Sequence, residues 1–213
     1  MTREARASPV SIRCEFLDLR LRRSCEEVFV RKVVAVELVS VDGVMESPER
    51  WAFTYSNDEM EETNAAGMAA SDALLMGHVT YEGMSAYWPN QPGGTPMVDY
   101  INSVPKFVVS TTLEKPLEWN NSTLIDGNEF AEEIAELKRQ SGKDITILGS
   151  AALVRSLLRE GLLDELRLMV HPIVLGGGKR LFDGGGDRKP LELVDSRTFK
   201  TGVLFLTYRL ASE

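Results

Sequence analysis

From residue 32 onward the apolar positions fall into short blocks whose period alternates between that of a strand and that of a helix. Residues 33–41 are rich in β-branched side chains and predict a first strand, broken by Asp42-Gly43. Asn57 or Asp58 is placed to cap a helix running to about residue 70. Residues 73–76 read as a buried strand and 79–86 as the helix after it. The turn-rich stretch 89–96 precedes a short helix at 97–102 and strands at 106–110 and 122–125. Asn128 stands as an N-cap ahead of Phe130, Ile134 and Leu137, which recur at helical spacing up to Gly142. A strand at 145–148, a helix at 151–160 and a long strand at 165–174 follow. Segments 191–199 and 203–210 then alternate apolar and polar residues about Lys200-Thr-Gly202, as in an antiparallel hairpin. This order predicts an α/β fold with a mostly parallel central sheet, helices on both faces and antiparallel strands at one edge.

Residues 1–29 do not share the pattern. They hold six arginines, no lysine and five acids, so the segment is about +1 and the rest of the chain about −9. They also lack the apolar centre of a signal peptide. We read 1–29 as a disordered or mis-started extension and 30–213 as a single domain, with Val30-Arg-Lys-Val-Val as its natural beginning. The 43% hydrophobic and 26% charged fractions are those of an ordinary globular protein. No apolar run approaches the roughly 20 residues of a bilayer span. A net charge of −8 argues against a phosphate backbone as partner. The expected partner is a small molecule, with neither nucleic acid nor membrane, in a cytoplasmic setting. Both cysteines, Cys14 and Cys25, lie in the extension, and His78 and His171 are the only histidines. No metal centre is expected from so few ligands.

The chemistry concentrates in two turns. In Asp144-Ile-Thr-Ile-Leu-Gly-Ser-Ala-Ala-Leu-Val154 a short apolar strand runs into Gly149 and at once into a helix. Backbone N–H groups and the positive end of a helix dipole converge at such a turn and suit a phosphate, with Ser150 adding a hydroxyl as N-cap or ligand. Ala73-Leu-Leu-Met-Gly-His-Val-Thr-Tyr81 repeats the arrangement upstream. A helix cap without ligand is the simpler reading of either turn alone. Two of them in one chain imply a ligand with more than one phosphate, such as a dinucleotide.

Five segments, in order, resemble the dihydrofolate reductase-like superfamily, and within it the reductase domain of the riboflavin-biosynthesis deaminase/reductase and its stand-alone bacterial relatives. They are Val39-Ser-Val-Asp-Gly-Val44, Leu74-Leu-Met-Gly-His-Val-Thr-Tyr-Glu82, Lys106-Phe-Val-Val-Ser-Thr-Thr112, Ile147-Leu-Gly-Ser-Ala151, and Pro172-Ile-Val-Leu-Gly-Gly-Gly178 with Leu181-Phe182. The resemblance covers about residues 31–210. It implies a three-layer fold and an NADPH-dependent reductase of a pterin- or pyrimidine-like compound, expected as a homodimer. By similarity Gly77, His78 and Thr80 lie along the cofactor, with His78 at the adenosine ribose. The family usually has arginine at that position, which leaves NADH open as the alternative cofactor. Ser110, Thr111 and Thr112 are expected near the adenosine 2′ position, or else form only a hydroxyl-rich turn. Gly149, Ser150 and Ala151 match the phosphate-cradling turn.

The pterin-reducing members use a carboxylate on the first helix to assist protonation. Counting back from the Met76-Gly77 turn gives Glu61, with Asp58 and Glu62 as rivals. Asp42, the second catalytic candidate, with Gly43 bounds the loop expected over the nicotinamide, or is simply a turn residue. Trp51, Phe53, Tyr81 and Trp88 are expected in the core or lining a ring-binding cleft. Gly176-Gly-Gly178 flanks that cleft or is a flexible connection; it lacks the Gly-Lys-Ser/Thr of a P-loop. A nucleotide-binding or dimerising module without catalysis is the alternative function.

Overall fold

The computed structural model describes residues 30–184 and 188–211. The expected extension, 1–29, lies outside the described residues. Eight strands form one sheet: β1 (Val33–Ser40), β2 (Ser71–Gly77), β3 (Lys106–Ser110), β4 (Ser122–Asp126), β5 (Asp144–Leu148), β6 (Glu165–His171), β7 (Leu191–Thr198) and β8 (Leu204–Leu210). Their order is β4-β3-β2-β5-β1-β6-β8-β7. The first six in that order run parallel, and β8 is antiparallel to both β6 and β7. Five helices connect them: α1 (Asp58–Ala70), α2 (His78–Tyr87), α3 (Pro96–Ser103), α4 (Phe130–Arg139) and α5 (Ala151–Arg159).

The alternation of side chains along the strands sorts the helices into two outer layers. Val33, Ala35, Ile145 and Ile147 pack against α4 through Ile134 and Leu137 and against α5 through Val154 and Leu157. On the opposite face Leu74, Met76 and Val108 meet Tyr81 of α2 and Ile101 of α3. Met60 of α1 joins Met169, Phe199, Val203 and Phe205 on that same side, over β6 and the hairpin. The result is the expected three-layer α/β fold with its C-terminal antiparallel pair.

Local boundaries shift for identifiable reasons. Strand β6 ends at His171, not 174, because Pro172 has no N–H to give to the ladder. Asn128 does not cap α4; Glu129 occupies the cap without a side-chain bond, and the Asn128 amide turns back to Asp126. Asn57 does cap α1, accepting from the Met60 N–H at 3.0 Å. Lys106 at the start of β3 is fully buried. Its ammonium donates to the carbonyls of Val104 (2.9 Å), Asn102 and Asn120 (both 3.3 Å) and sits 4.6 Å above the Trp119 ring.

Candidate active site

Strands β1 and β5 stay paired only to Val36 and Leu148, whereas β1 continues against β6 as far as Ser40 and His171. The C-terminal ends of β1 and β5 therefore part. This is the reversal of strand order at which open α/β sheets bind ligands. A cleft of about 1620 Å³ opens there.

Helices α2 and α5 begin side by side on its wall, and their turns are stitched together. Ser150 Oγ accepts from the Gly77 N–H at 3.0 Å and donates to Thr80 Oγ1 at 2.7 Å; Thr80 Oγ1 in turn donates to the Gly149 carbonyl at 2.9 Å. Ser150 thus joins two helix starts instead of capping its own, which has no side-chain cap. First-turn N–H groups of a helix have no intrahelical acceptor, so two positive dipole ends face one cleft. Gly77, His78, Thr80, Gly149, Ser150 and Ala151 all line it.

The turn before α5 is not as bare as its sequence implies. Glu37, 1% exposed, accepts from the Gly149 N–H at 3.0 Å and the Ser150 N–H at 3.4 Å. Burial pushes its carboxyl up to about 8, against the pull of those two N–H groups. An internal acid thus takes the two donors assigned to a phosphate, leaving the N–H groups of the first turn of α5 and those of α2. Both turns keep open space on their cleft side. A Cβ at Gly77 would meet only Ser150 Oγ, at 3.8 Å, and one at Gly149 only Thr80 Cγ2, at 3.9 Å. Gly77 has φ −84, which any residue adopts, so neither backbone nor packing demands glycine there, and the space above it stays open to the cleft.

The residues expected at the adenosine end converge from separate segments. His78 Nδ1 lies 2.9 Å from Thr112 Oγ1, and Thr112 Oγ1 lies 3.4 Å from Ser110 Oγ. His78 Nε2 lies 2.9 Å from Glu82 Oε1, one turn further along α2. Ser110, Thr111 and Thr112 line the cleft, with Gly127 close behind: a Cβ on it would fall 2.6 Å from Thr111 Cγ2.

The two proposed catalytic acids are placed differently from expectation. Helix α1 turns Met60 and Asn64 to the cleft, and a step of one residue rotates the side chain by about 100°. Glu61 is therefore exposed and outside the cleft lining, as are Asp58 and Glu62. The Asp42 carboxylate is consumed by structure. It accepts from Ser40 Oγ (2.7 Å) and the N–H groups of Leu175 (3.1 Å) and Gly176 (2.9 Å), and lies 3.5 Å from the Arg180 guanidinium. The Ser40 hydroxyl first, then the Leu175 N–H, hold its pKa far below the usual carboxylate range. Asp42 thus latches the loop after β1 to Gly176-Gly-Gly178, which is held and not a free connection; a Cβ on Gly178 would lie 2.8 Å from Val44 Cγ1. Phe53 and Trp88 line the cleft, whereas Trp51 and Tyr81 are buried beside it. Tyr81 instead uses its hydroxyl to accept from the Trp119 N–H at 3.2 Å.

Sequence reasoning missed Glu37 and His171, because both sit inside strands that read as packing. It also missed Arg155, Lys179 and Arg180 on the rim. Among the described residues no group of three or more His, Cys, Asp or Glu could hold a metal, and no helix is long and apolar enough to cross a membrane.

A three-layer fold with this strand order, and with paired helix starts where β1 and β5 part, is dihydrofolate reductase-like. Residues 31–205 match the RibD C-terminal domain family, and the chain belongs to it. It is 35% identical to YyaP of Bacillus subtilis (strain 168) over 140 residues, 64% of this chain and 73% of that protein. A putative riboflavin biosynthesis protein from Shewanella sp. PV-4 shares the fold at a TM-score of 0.68 and 24% identity, covering 85% of this chain and 99% of the other. The riboflavin biosynthesis reductase Rib7 of Saccharomyces cerevisiae does so at 0.55 and 17%, covering 86% and 91%.

Proposed function

We propose that the protein is an NADPH-dependent reductase that transfers hydride to a small heterocyclic or imine-like substrate of the pterin or riboflavin-precursor type. One observation carries this reading: a single cleft joins two helix N-termini and a hydroxyl cluster at one end to an apolar half at the other. Membership of the RibD C-terminal domain family supports it. The nicotinamide supplies the hydride when bound. The protein's own groups do the rest. The first turns of α2 and α5, with Thr80, hold the diphosphate. His78, Ser110 and Thr112 hold the adenosine end. Phe53, Val79 and Phe182, all exposed on the cleft wall, cover the bound rings and exclude water. Of the four acids that line the cleft, Glu37, Glu46, Glu49 and Asp183, Glu37 alone is buried, and burial raises its pKa to about 8 at the point where β1 and β5 part.

The test is titration calorimetry with NADPH and NADH, followed by loss of NADPH absorbance with a set of pterins and aminopyrimidines. Micromolar NADPH binding with turnover of at least one compound is expected. Absence of dinucleotide binding overturns the reading. Binding without turnover on any compound favours the nucleotide-binding module instead.

A further inference from the structure

Among the described residues, the apolar half of the cleft contains one buried side-chain polar atom with no partner. His171, at the end of β6, is fully buried and lines the cleft together with Leu38, Ala52, Phe53, Met60 and Met169. Its Nδ1 lies 2.9 Å from the Met169 carbonyl and 3.4 Å from the Val39 carbonyl. A carbonyl only accepts, so Nδ1 carries the hydrogen. Burial lowers the pKa of the ring and keeps it neutral. Nε2 is then a bare lone pair. It lies on the other side of the ring from Nδ1 and finds no hydrogen-bond partner among the described residues. Trp51 and Tyr55 meet the ring edge-on, at 5.3 and 5.6 Å between centroids, and fix its orientation. An unsatisfied buried acceptor is costly unless a ligand supplies the missing donor.

We infer that His171 Nε2 is the specificity contact for substrate: it accepts a hydrogen bond from a ring N–H or exocyclic amine of a planar heterocycle held against Leu38, Phe53 and Met60. The inference rests on the proposed reductase function and narrows its substrate class to rings that donate at this edge. O-alkylated or fully N-alkylated rings are excluded, because they would leave Nε2 buried without a donor.

The two histidines make the test direct, since His78 lies at the cofactor end and His171 at the substrate end. Full-length protein is labelled with ¹⁵N-histidine, and the two rings are assigned with His78→Gln. His171 should show the Nδ1–H tautomer with an unprotonated Nε2; an Nε2–H tautomer or an imidazolium overturns the inference. NADPH is then added, followed at millimolar concentration by uracil, 2,4-diaminopyrimidine and lumazine, each paired with its fully N-methylated counterpart. At least one donor-bearing ring should move the His171 Nε2 resonance and bind about tenfold or more tightly than its methylated partner. That preference should vanish in His171→Phe. Equal shifts within every pair, or no shift from any donor-bearing ring, overturn the inference. If NADPH fails to move the His78 resonance, the proposed cofactor site falls instead, so the two failures are distinguishable. Should His171→Phe fail to fold, the tautomer and the paired titrations in the parent protein still decide.

Discussion

At Glu37 two forces act on one carboxyl: burial favours the neutral acid, and the Gly149 and Ser150 N–H groups favour the anion. Burial prevails, so the folded protein holds this proton more tightly than the unfolded chain does. The associated stability is complete below the ordinary value of 4.5 and is lost as pH rises through that value toward about 8. Glu37→Gln should therefore flatten the fall in stability across this window, which in the parent amounts to at most about 4 kcal/mol. Urea unfolding of both proteins at several pH values checks it; parallel curves would remove Glu37 from the account. A second residue-scale expectation concerns His78. His78→Arg places a permanent cation beside Thr112 and should shift the affinity ratio toward NADPH over NADH by roughly tenfold. Glu82, 2.9 Å from His78 Nε2, would compete for the guanidinium, so adding Glu82→Gln should enlarge the shift. A ratio that stays fixed places the adenosine 2′ position elsewhere. Ser110, Thr111 and Thr112, with no glycine beside them, were expected here only through the family resemblance, whereas the Gly77-His78 turn was legible in the sequence because a polar residue beside glycine at a strand end has few roles. Glu37 and His171 were not, since within a strand the sequence does not tell a buried polar side chain from an outward-facing one.

The two phosphate turns look equivalent in sequence but differ in backbone. Gly149 has φ +70, which a β-branched residue adopts only with strain, so substitution there disturbs folding and binding together. Gly77→Val is the cleaner probe, because its φ of −84 tolerates any side chain. It should keep the parent's melting temperature within a few degrees while weakening NADPH at least about tenfold, as the added methyls occupy the space between the starts of α2 and α5. Unchanged NADPH affinity would move the diphosphate away from α2. At the start of β3, Lys106→Met should cost about 3 kcal/mol, measured by denaturant unfolding, since it strands the carbonyls of Asn102, Val104 and Asn120. A cost below about 0.5 kcal/mol would show that water replaces the ammonium there. Helix α1 shows where pattern reading stops. Its start was legible from Asn57, but Met60 is its only buried residue, and with so weak an apolar stripe the sequence could not fix the helix's rotation. That rotation decides that Asn64, and not Glu61, faces the cleft.

Across the whole molecule, Glu165 ties three parts of the sheet through Lys32 (3.1 Å), Arg167 (2.6 Å) and Arg209 (2.9 Å). Burial alone would raise its pKa, but Arg167, Arg209 and Lys32 together hold it at about 2. The folded protein thus binds this proton more weakly than the unfolded chain, and the stability is present above 4.5 and lost as pH falls toward 2. Glu165→Gln should lose roughly 2 kcal/mol at neutral pH, discounted for two half-exposed partners, and should unfold less steeply in acid. Deleting residues 1–29 should leave a cooperatively unfolding domain, since the core begins at Val33; Arg31 must be kept, because it pairs with Asp72 and donates to the Lys138 and Lys143 carbonyls. Loss of a single thermal transition on truncation would contradict this. By itself the sequence determined the alternation of strands and helices, the parallel sheet with its terminal hairpin, and the two glycine turns, because each is written in spacing over a few residues. The tertiary structure alone decided that β1 and β5 part at Glu37, that an internal acid takes the donors of the second turn, and that His171 Nε2 has no partner among the described residues. Those outcomes depend on which side chains from distant strands come into contact, and no local period records that.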